Sequence, residues 1–165
     1  MSTSHHPVVL VVTGASGVIY SRRLLHVLLN TNCDLHLAVS PSGKAVFEQE
    51  LSESLDLDDV SVEHYLGTAT PLPGRLTYHH YKNLMAPIAS GSFLTSAMVI
   101  CPCSGSTLSA VTHAMGDNLI HRAAEVHLKE RRKLVVVPRE SPLSLPQLKN
   151  MQAIHEAGAV VLPAS

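Results

Sequence analysis

The chain has 165 residues, of which 45% are hydrophobic and 15% are charged, with 12 lysines and arginines against 13 acidic residues. This length suits a single globular domain, and the charged fraction lies below the roughly 25% of an average chain, so apolar side chains are available for a core. The composition excludes a disordered chain, a disulfide scaffold and a basic nucleic-acid-binding tail. A net charge of −1 gives no electrostatic reason to expect DNA, RNA or an anionic membrane as the main partner.

Strand-like and helix-like patterns alternate along the chain. Val8–Val12 is a continuous apolar run of the kind found in strands covered on both faces, and the leucines after Gly17 recur at helical spacing. Further strands are predicted at 35–39, 60–65, 97–102, 134–138 and 159–162, and further helices at 41–51, 104–115, 118–131 and 145–157. Residues 67–82, rich in Gly, Pro and Thr, are predicted to form a long loop.

This alternation is typical of a parallel sheet with helices on both faces. We therefore predict one three-layer α/β domain over residues 1–165, Rossmann-like or flavodoxin-like, with a mostly parallel sheet. Such folds bind ligands beyond the carboxyl ends of their strands. Small, hydroxylated or charged residues occupy all four loops predicted at that edge, which are 13–17, 40–43, 102–107 and 138–142.

The three cysteines predict structural thiols. Cys101 and Cys103 flank a proline, which is not the spacing of a zinc site, and Cys33 stands alone. The histidines form no metal-binding pair on an apolar helix, so we predict no metal. Because no apolar run approaches the roughly 18–20 residues of a membrane helix and no signal peptide is apparent, we expect a cytoplasmic protein without a membrane partner.

Two of the four loops combine glycine with hydroxyl groups at the start of a helix. Thr13-Gly14-Ala15-Ser16-Gly17 and Ser104-Gly105-Ser106-Thr107 both offer free backbone N–H groups that attract a phosphate. Tight packing at the first loop and a plain N-cap at the second explain the same residues equally well. Together the two loops suit the phosphate and the polar ring edge of a mononucleotide better than a catalytic triad.

Charged residues near the end of the chain add a second signal. Arg122 and Lys129 are seven residues apart and share one helix face, so they are the pair within a basic stretch that can hold a phosphate together. Arg139 and Glu140 directly follow a buried strand, where they are either a surface ion pair or part of the site.

At these residues the sequence resembles the UbiX family of flavin prenyltransferases, and the resemblance runs in order over nearly the whole length. The matching segments are Thr13-Gly14-Ala15-Ser16-Gly17, Met85-Ala86-Pro87-Ile88-Ala89-Ser90-Gly91-Ser92, Cys101-Pro102-Cys103-Ser104-Gly105-Ser106-Thr107, Asp117-Asn118-Leu119-Ile120-His121-Arg122, Leu128-Lys129-Glu130-Arg131-Arg132 and Val137-Pro138-Arg139-Glu140.

The resemblance implies a metal-independent transfer of a dimethylallyl group from dimethylallyl monophosphate to N5 and C6 of reduced FMN. It implies a homo-oligomer, often a dodecamer, whose product serves UbiD-type decarboxylases. By motif, FMN would be contacted by Gly14, Ala15, Ser16, Ser40, Ser104, Gly105, Ser106, Thr107 and Arg139. The prenyl phosphate would be contacted by Ser90, Arg122, Lys129 and Glu140. The implied catalytic residues are Ser16, Glu50 and Glu140, with Glu140 moving protons to the leaving phosphate and from C6.

The sequence departs from the family pattern in two ways. Leu84 stands where many relatives have an aromatic side chain that can stabilise an allylic cation. The family also continues beyond the segment matching residues 158–165 with a tail that contacts the prenyl phosphate. With these two departures, FMN binding is still expected, whereas prenyl transfer is an open question. The alternative to a flavin prenyltransferase is therefore an FMN-binding protein or assembly subunit without transferase activity. The resemblance does not distinguish ubiquinone synthesis from aromatic-acid decarboxylation as the pathway that uses the product.

Overall fold

The computed structural model describes residues 6–165 as alternating strands and helices. In chain order the elements are β1 (Val8–Val12), α1 (Val18–Asn30), β2 (Asp34–Val39), α2 (Pro41–Leu51), α3 (Val62–Leu66), β3 (Arg75–Tyr78), a 3₁₀ turn (Pro87–Ala89), β4 (Ala97–Cys103), α4 (Gly105–Thr112), α5 (Leu119–Lys129), β5 (Lys133–Pro138), α6 (Leu145–Glu156) and β6 (Val160–Val161).

All strand pairs are parallel, and the strand order is β3-β2-β1-β4-β5-β6. The order reverses between β1 and β4, because β2 and β3 lie on one side of β1 and the later strands lie on the other. In sheets of this kind the crevice at such a reversal is where ligands bind. The predicted three-layer, flavodoxin-like α/β fold is confirmed.

Each face of the sheet has its own core. Alternate residues of β1 point to opposite faces, with Leu10 and Val12 on one and Val9 and Val11 on the other. Helices α1–α3 cover the first face, where Leu25, Phe47 and Tyr65 are fully buried. Helices α4–α6 cover the second. Among residues 6–165 no helix has the length and apolar character needed to cross a bilayer.

The prediction of a strand at 60–65 is wrong. Residues Val62–Leu66 form helix α3, because the Ser61 hydroxyl accepts a hydrogen bond from the His64 N–H and caps the helix. The prediction of an unbroken loop at 67–82 is also wrong, since β3 adds an edge strand beside β2. Only Leu76 and Tyr78 of β3 face inward, and so short a polar strand leaves little periodicity to detect.

A histidine pair joins β2 to the residue that follows β3. The rings of His36 and His79 stack at 4.9 Å, and His36 Nδ1 lies 2.7 Å from His79 Nε2, so one neutral imidazole donates and the other accepts. Burial, followed by repulsion from His36, lowers the pKa of His79 to about 4. Burial also lowers the pKa of His36. Because burial lowers the pKa of both histidines, both rings are neutral near pH 7.

We therefore expect the folded protein to lose stability as the pH falls from about 6.5 towards 4. In that interval the unfolded chain, whose histidines titrate near 6.5, binds more protons than the folded chain, and the cost is on the order of 2–3 kcal/mol. Urea unfolding at pH 7.5 and pH 5 measures the loss, and His79→Gln should reduce it. His113→Gln changes an exposed histidine, so this control should lose as much stability between pH 7.5 and pH 5 as the wild type. If wild type, His79→Gln and His113→Gln all lost the same amount, the pH dependence would not come from His79.

Candidate functional site

The four loops predicted to form the site all follow neighbouring strands at one edge of the sheet. They follow β2, β1, β4 and β5, which are adjacent in that order, so the loops line the carboxyl edge on both sides of the reversal. Three of them lead directly into helices α1, α2 and α4, whose N-terminal N–H groups therefore face the same edge. The predicted convergence of these loops is confirmed.

The loop after β1 packs closely against the start of α2. A side chain on Gly14 would overlap Ser42 Cβ, and one on Gly43 would lie 2.6 Å from the Val12 carbonyl oxygen. Ser40 N–H donates to the same Val12 oxygen at 3.0 Å. Both glycines are therefore required, because the first loop and the start of α2 lie too close together for a side chain at either position. The same close contact places the hydroxyl of Ser40 beside the first loop.

Helix α1 has its N-terminus occupied by a side chain from α2. Glu50 accepts hydrogen bonds from the N–H groups of Gly17 (2.9 Å) and Val18 (2.9 Å), while Gly17 itself is left-handed at φ 105°. The negative carboxylate satisfies the donors and the dipole that a phosphate would otherwise use. Glu50, predicted as catalytic, thus lies at the site as a helix cap, and its catalytic role stays a prediction.

The loop after β4 forms a compact set of hydroxyl groups. Ser104 is the N-cap of α4, accepting from Thr107 N–H at 3.2 Å, and its hydroxyl lies 3.0 Å from Thr107 Oγ1 and 3.1 Å from Ser106 Oγ. Ser106 is exposed, whereas Ser104 and Thr107 are buried. Gly105 faces the amide of Gln147 from α6. The loop therefore presents hydroxyls and helix N–H groups together, as the sequence predicted.

A cavity of about 300 Å³ lies where the first loop meets the loop after β5. Ser16, Arg139 and Glu140 line it together with Ser141 and Ala164. Arg139 extends over the start of α1, where its Cδ would lie 3.1 Å from a side chain on Gly17. The Arg139 guanidinium, the Glu140 carboxylate and the hydroxyl of Ser16 thus share a small polar cavity, although Ser16 and Arg139 are 123 positions apart in the sequence.

The other residues assigned to the prenyl phosphate lie elsewhere. Arg122, on α5, donates from Nε to the Ala89 carbonyl at 3.1 Å and faces Glu125. Lys129, the last residue of α5, pairs with Glu130 close to Gly91. Ser90 is in the same turn, with its hydroxyl 2.8 Å from that of Ser92. Ser90 and Lys129 are therefore neighbours, as the resemblance implies.

Ser90 and Lys129 lie at the opposite edge of the sheet from Glu140. Lys129 comes just before β5 begins and Glu140 just after β5 ends, so the two are separated by a six-residue strand. At about 3.3 Å per residue, that separation is roughly 17–20 Å. One copy of the chain does not bring all the predicted substrate residues together.

The thiols are those expected of structural cysteines. Cys101 and Cys103 are buried, and burial raises the pKa of Cys101 to about 11 and that of Cys103 to about 12. Neither supplies a thiolate near pH 7. Within residues 6–165 no group of three His, Cys, Asp or Glu side chains is arranged to hold a metal ion.

The donors at the carboxyl edge suit a phosphorylated ring. Hydroxyls of Ser16, Ser40 and Ser106, the N–H groups of α4 and the Arg139 guanidinium favour a phosphate ester and the carbonyl groups of a heterocycle. The cavity admits part of such a ring beside Ser16. A mononucleotide fits these residues, with the N–H groups of α4 facing its phosphate, whereas the predicted free N–H groups of Gly17 and Val18 at α1 are occupied by Glu50.

Sequence reasoning did not identify Thr13 as part of this arrangement. It is fully buried at the end of β1, and its hydroxyl bonds to the backbone of Pro102 and Ser104 in the loop after β4. The contacts span about 90 positions of the chain, so no local pattern signals them. A threonine directly before a glycine turn was the only hint.

Comparison with known proteins gives consistent matches over the whole chain. A family model described as Flavoprotein matches residues 1–165. The flavin prenyltransferase UbiX of Alkalihalophilus pseudofirmus is 46% identical over 154 residues, covering 93% of this chain and 75% of that protein.

Solved structures show the same similarity. The crystal structure of AnUbiX in complex with FMN and dimethylallyl pyrophosphate has a TM-score of 0.80 at 34% identity, covering 96% of this chain and 78% of that one. A dodecameric FMN-dependent UbiX-like decarboxylase from Escherichia coli O157:H7 has a TM-score of 0.81 at 36% identity, covering 95% of this chain and 79% of that one.

Proposed function

The chain belongs to the Flavoprotein family, among its UbiX-type flavin prenyltransferases, and on that premise we propose that it transfers a dimethylallyl group to reduced FMN. The observation that carries the proposal is the cavity shared by Ser16, Arg139 and Glu140, which lies between the loops after β1 and β5 at the carboxyl edge of the sheet. A flavin-binding edge and an acid–base group are thus adjacent.

We assign flavin binding to the loops after β1, β2 and β4 together with Arg139. The residues are those given by the family motifs: Gly14, Ala15, Ser16, Ser40, Ser104, Gly105, Ser106, Thr107 and Arg139. Reduced FMN supplies the nucleophilic N5 and then C6, to which the dimethylallyl group becomes attached. The chain contributes hydroxyl and N–H donors that orient the ring, and the Ser16 hydroxyl on the cavity wall is the donor assigned to N5.

The prenyl donor in this proposal is dimethylallyl monophosphate. Arg122 and Lys129 neutralise the charge that grows on the departing phosphate, because cations held in place stabilise a leaving anion. Glu140 protonates the phosphate and later accepts a proton as the new ring closes. Ser90 adds a hydroxyl contact, and Glu50 holds the loop that carries Ser16 by capping α1.

Because Glu140 and Lys129 lie at opposite edges of one copy, we propose that the substrate site forms between copies. The amino-edge residues Ser90 and Lys129 of one subunit would complete the cavity of another. The dodecameric state of the Escherichia coli relative supports a homo-oligomer, and we propose a dodecamer here as well.

The product is expected to serve as the cofactor of a UbiD-type decarboxylase, which the family resemblance supports. We also place the enzyme in the cytoplasm. Three free cysteines, two of them buried, suit a reducing compartment.

Incubation of the chain with reduced FMN and dimethylallyl monophosphate under anaerobic conditions tests the proposal. We expect the extracted flavin to gain the mass of one dimethylallyl group. Bound but unmodified FMN would instead identify an FMN-binding protein without transferase activity. Absence of any bound flavin would contradict the assignment of both glycine-hydroxyl loops.

A further inference from the structure

Thr13 is the point at which two flavin-binding loops meet. Its side chain is 0% exposed, and its hydroxyl oxygen makes two hydrogen bonds at once. It donates to the Pro102 carbonyl at 2.8 Å and accepts from the Ser104 N–H at 2.8 Å. The Thr13 N–H donates to the same Pro102 oxygen at 3.2 Å. Its hydroxyl therefore both donates to β4 and accepts from the residue that follows β4.

These bonds begin where the regular pairing of β1 with β4 ends. The last paired residues are Val11 and Ile100, and the register of β4 against β5 shifts between Ile100 and Cys103. Beyond that point the strands no longer bond through their backbones in the usual parallel pattern. The Thr13 hydroxyl is the partner of the buried Ser104 N–H and adds a second donor to the Pro102 carbonyl, which also accepts from the Thr13 N–H.

The contact reaches the flavin-binding groups on both sides. Ser104, whose N–H bonds to Thr13, caps α4 and holds the hydroxyls of Ser106 and Thr107. On the other side, the Thr13 carbonyl accepts from the Ala15 N–H at 2.9 Å, within the turn that leads to Ser16. One buried residue thus determines the spacing between the two loops.

We propose that Thr13 is a positioning residue for FMN, acting through Ser104 and Ala15 and making no contact with the flavin itself. This inference rests on the proposed function, since it concerns the same FMN site. Removing the hydroxyl should let the two loops shift relative to each other, so that they no longer present their donors to one ligand at the same time.

The test compares FMN affinity and thermal unfolding for four variants. Thr13→Val keeps the shape but removes both bonds, and Thr13→Ser keeps the hydroxyl. Thr13→Ala leaves room for a water between Pro102 and Ser104, so it provides a folded protein if valine prevents folding. Ser21→Ala is the matched control, because Ser21 is equally buried and its hydroxyl bonds to Val18 and Tyr65, with no bond to the loop after β4.

We expect Thr13→Val and Thr13→Ala to weaken FMN binding roughly tenfold or more, as loss of a buried bonded group does. They should raise KM for FMN more than they lower kcat. Thr13→Ser should restore affinity to within about threefold, and Ser21→Ala should lower Tm without changing FMN affinity.

FMN affinity within about twofold of wild type in Thr13→Ala, despite a lower Tm, would overturn the inference and leave Thr13 a purely structural residue. The proposed function fails separately, since a wild-type protein that binds no FMN contradicts it before any variant is measured.

Discussion

Co-assembly of an inactive Glu140→Gln chain with an inactive Lys129→Ala chain is expected to restore prenyl transfer to about a quarter of the wild-type rate, because a site shared by two subunits draws each half at random. Each parent alone should be slower by about 10²-fold or more, since Glu140→Gln removes a proton-transfer group and Lys129→Ala removes a cation from the leaving phosphate. Both residues are exposed, so neither change should disturb folding.

Two affinity tags, one on each chain, allow mixed assemblies to be purified from co-expressing cells. The matched control pairs Glu140→Gln with Arg139→Ala. Both of these residues lie on the same carboxyl edge, so no subunit in that mixture carries an intact pair and activity should stay at the parental level. If neither mixture regains prenyl-transfer activity, the site is not shared between copies. Lys129 would then have to act somewhere other than at the substrate.

Gly14→Ala is expected to weaken FMN binding by about 10- to 100-fold. A methyl group at this position overlaps Ser42 Cβ, which belongs to the first turn of α2 and cannot rotate away. The first loop must then move away from α2, and this overpacking costs about 1–3 kcal/mol. FMN binding weakens because the donor groups of the loop move with it. Isothermal titration with FMN measures the change.

A second substitution tests the cause. Ser42→Gly in the Gly14→Ala background removes the overlapping atom, leaving the nearest Ser42 backbone atom 3.3 Å away, and should recover much of the affinity. Ser42→Gly alone should lower stability by about 0.5 kcal/mol through helix propensity and leave FMN affinity near wild type. If the double variant binds FMN no better than Gly14→Ala, the overlap with Ser42 is not the reason for the loss.

Much of the fold was predictable because its signals are local. Val8–Val12 and residues 134–138 are short apolar runs rich in valine, as in strands buried on both faces, and the periodic leucines of α1 define one helix face. Alternation of such segments implies a parallel sheet, and a parallel sheet places the loops after its strands at one edge. The glycine-hydroxyl loops could therefore be assigned to a common site without any contact information.

The wrong predictions came where a local signal was weak or ambiguous. Apolar and polar residues are mixed at 60–65, a pattern that fits a strand or a short helix, and the hydroxyl of Ser61 caps the helix that forms there. Strand β3 is short and half polar, and it forms because β2 offers an unpaired edge. Pairing with a neighbour that lies about 40 residues away leaves no trace in the sequence of the strand itself.

The sequence by itself determined the layered α/β fold, the loops that form the candidate site, and the family to which the chain is similar, because periodicity and motifs are properties of neighbouring residues. Only the tertiary structure decided that Glu50 caps α1, that Thr13 joins the loops after β1 and β4, and that Lys129 and Glu140 lie at opposite edges. The physical reason is the direction of the chain. In a right-handed β-α-β unit the helix returns antiparallel to the strands, so residues close in sequence are carried a full strand length apart while distant ones meet at the same edge.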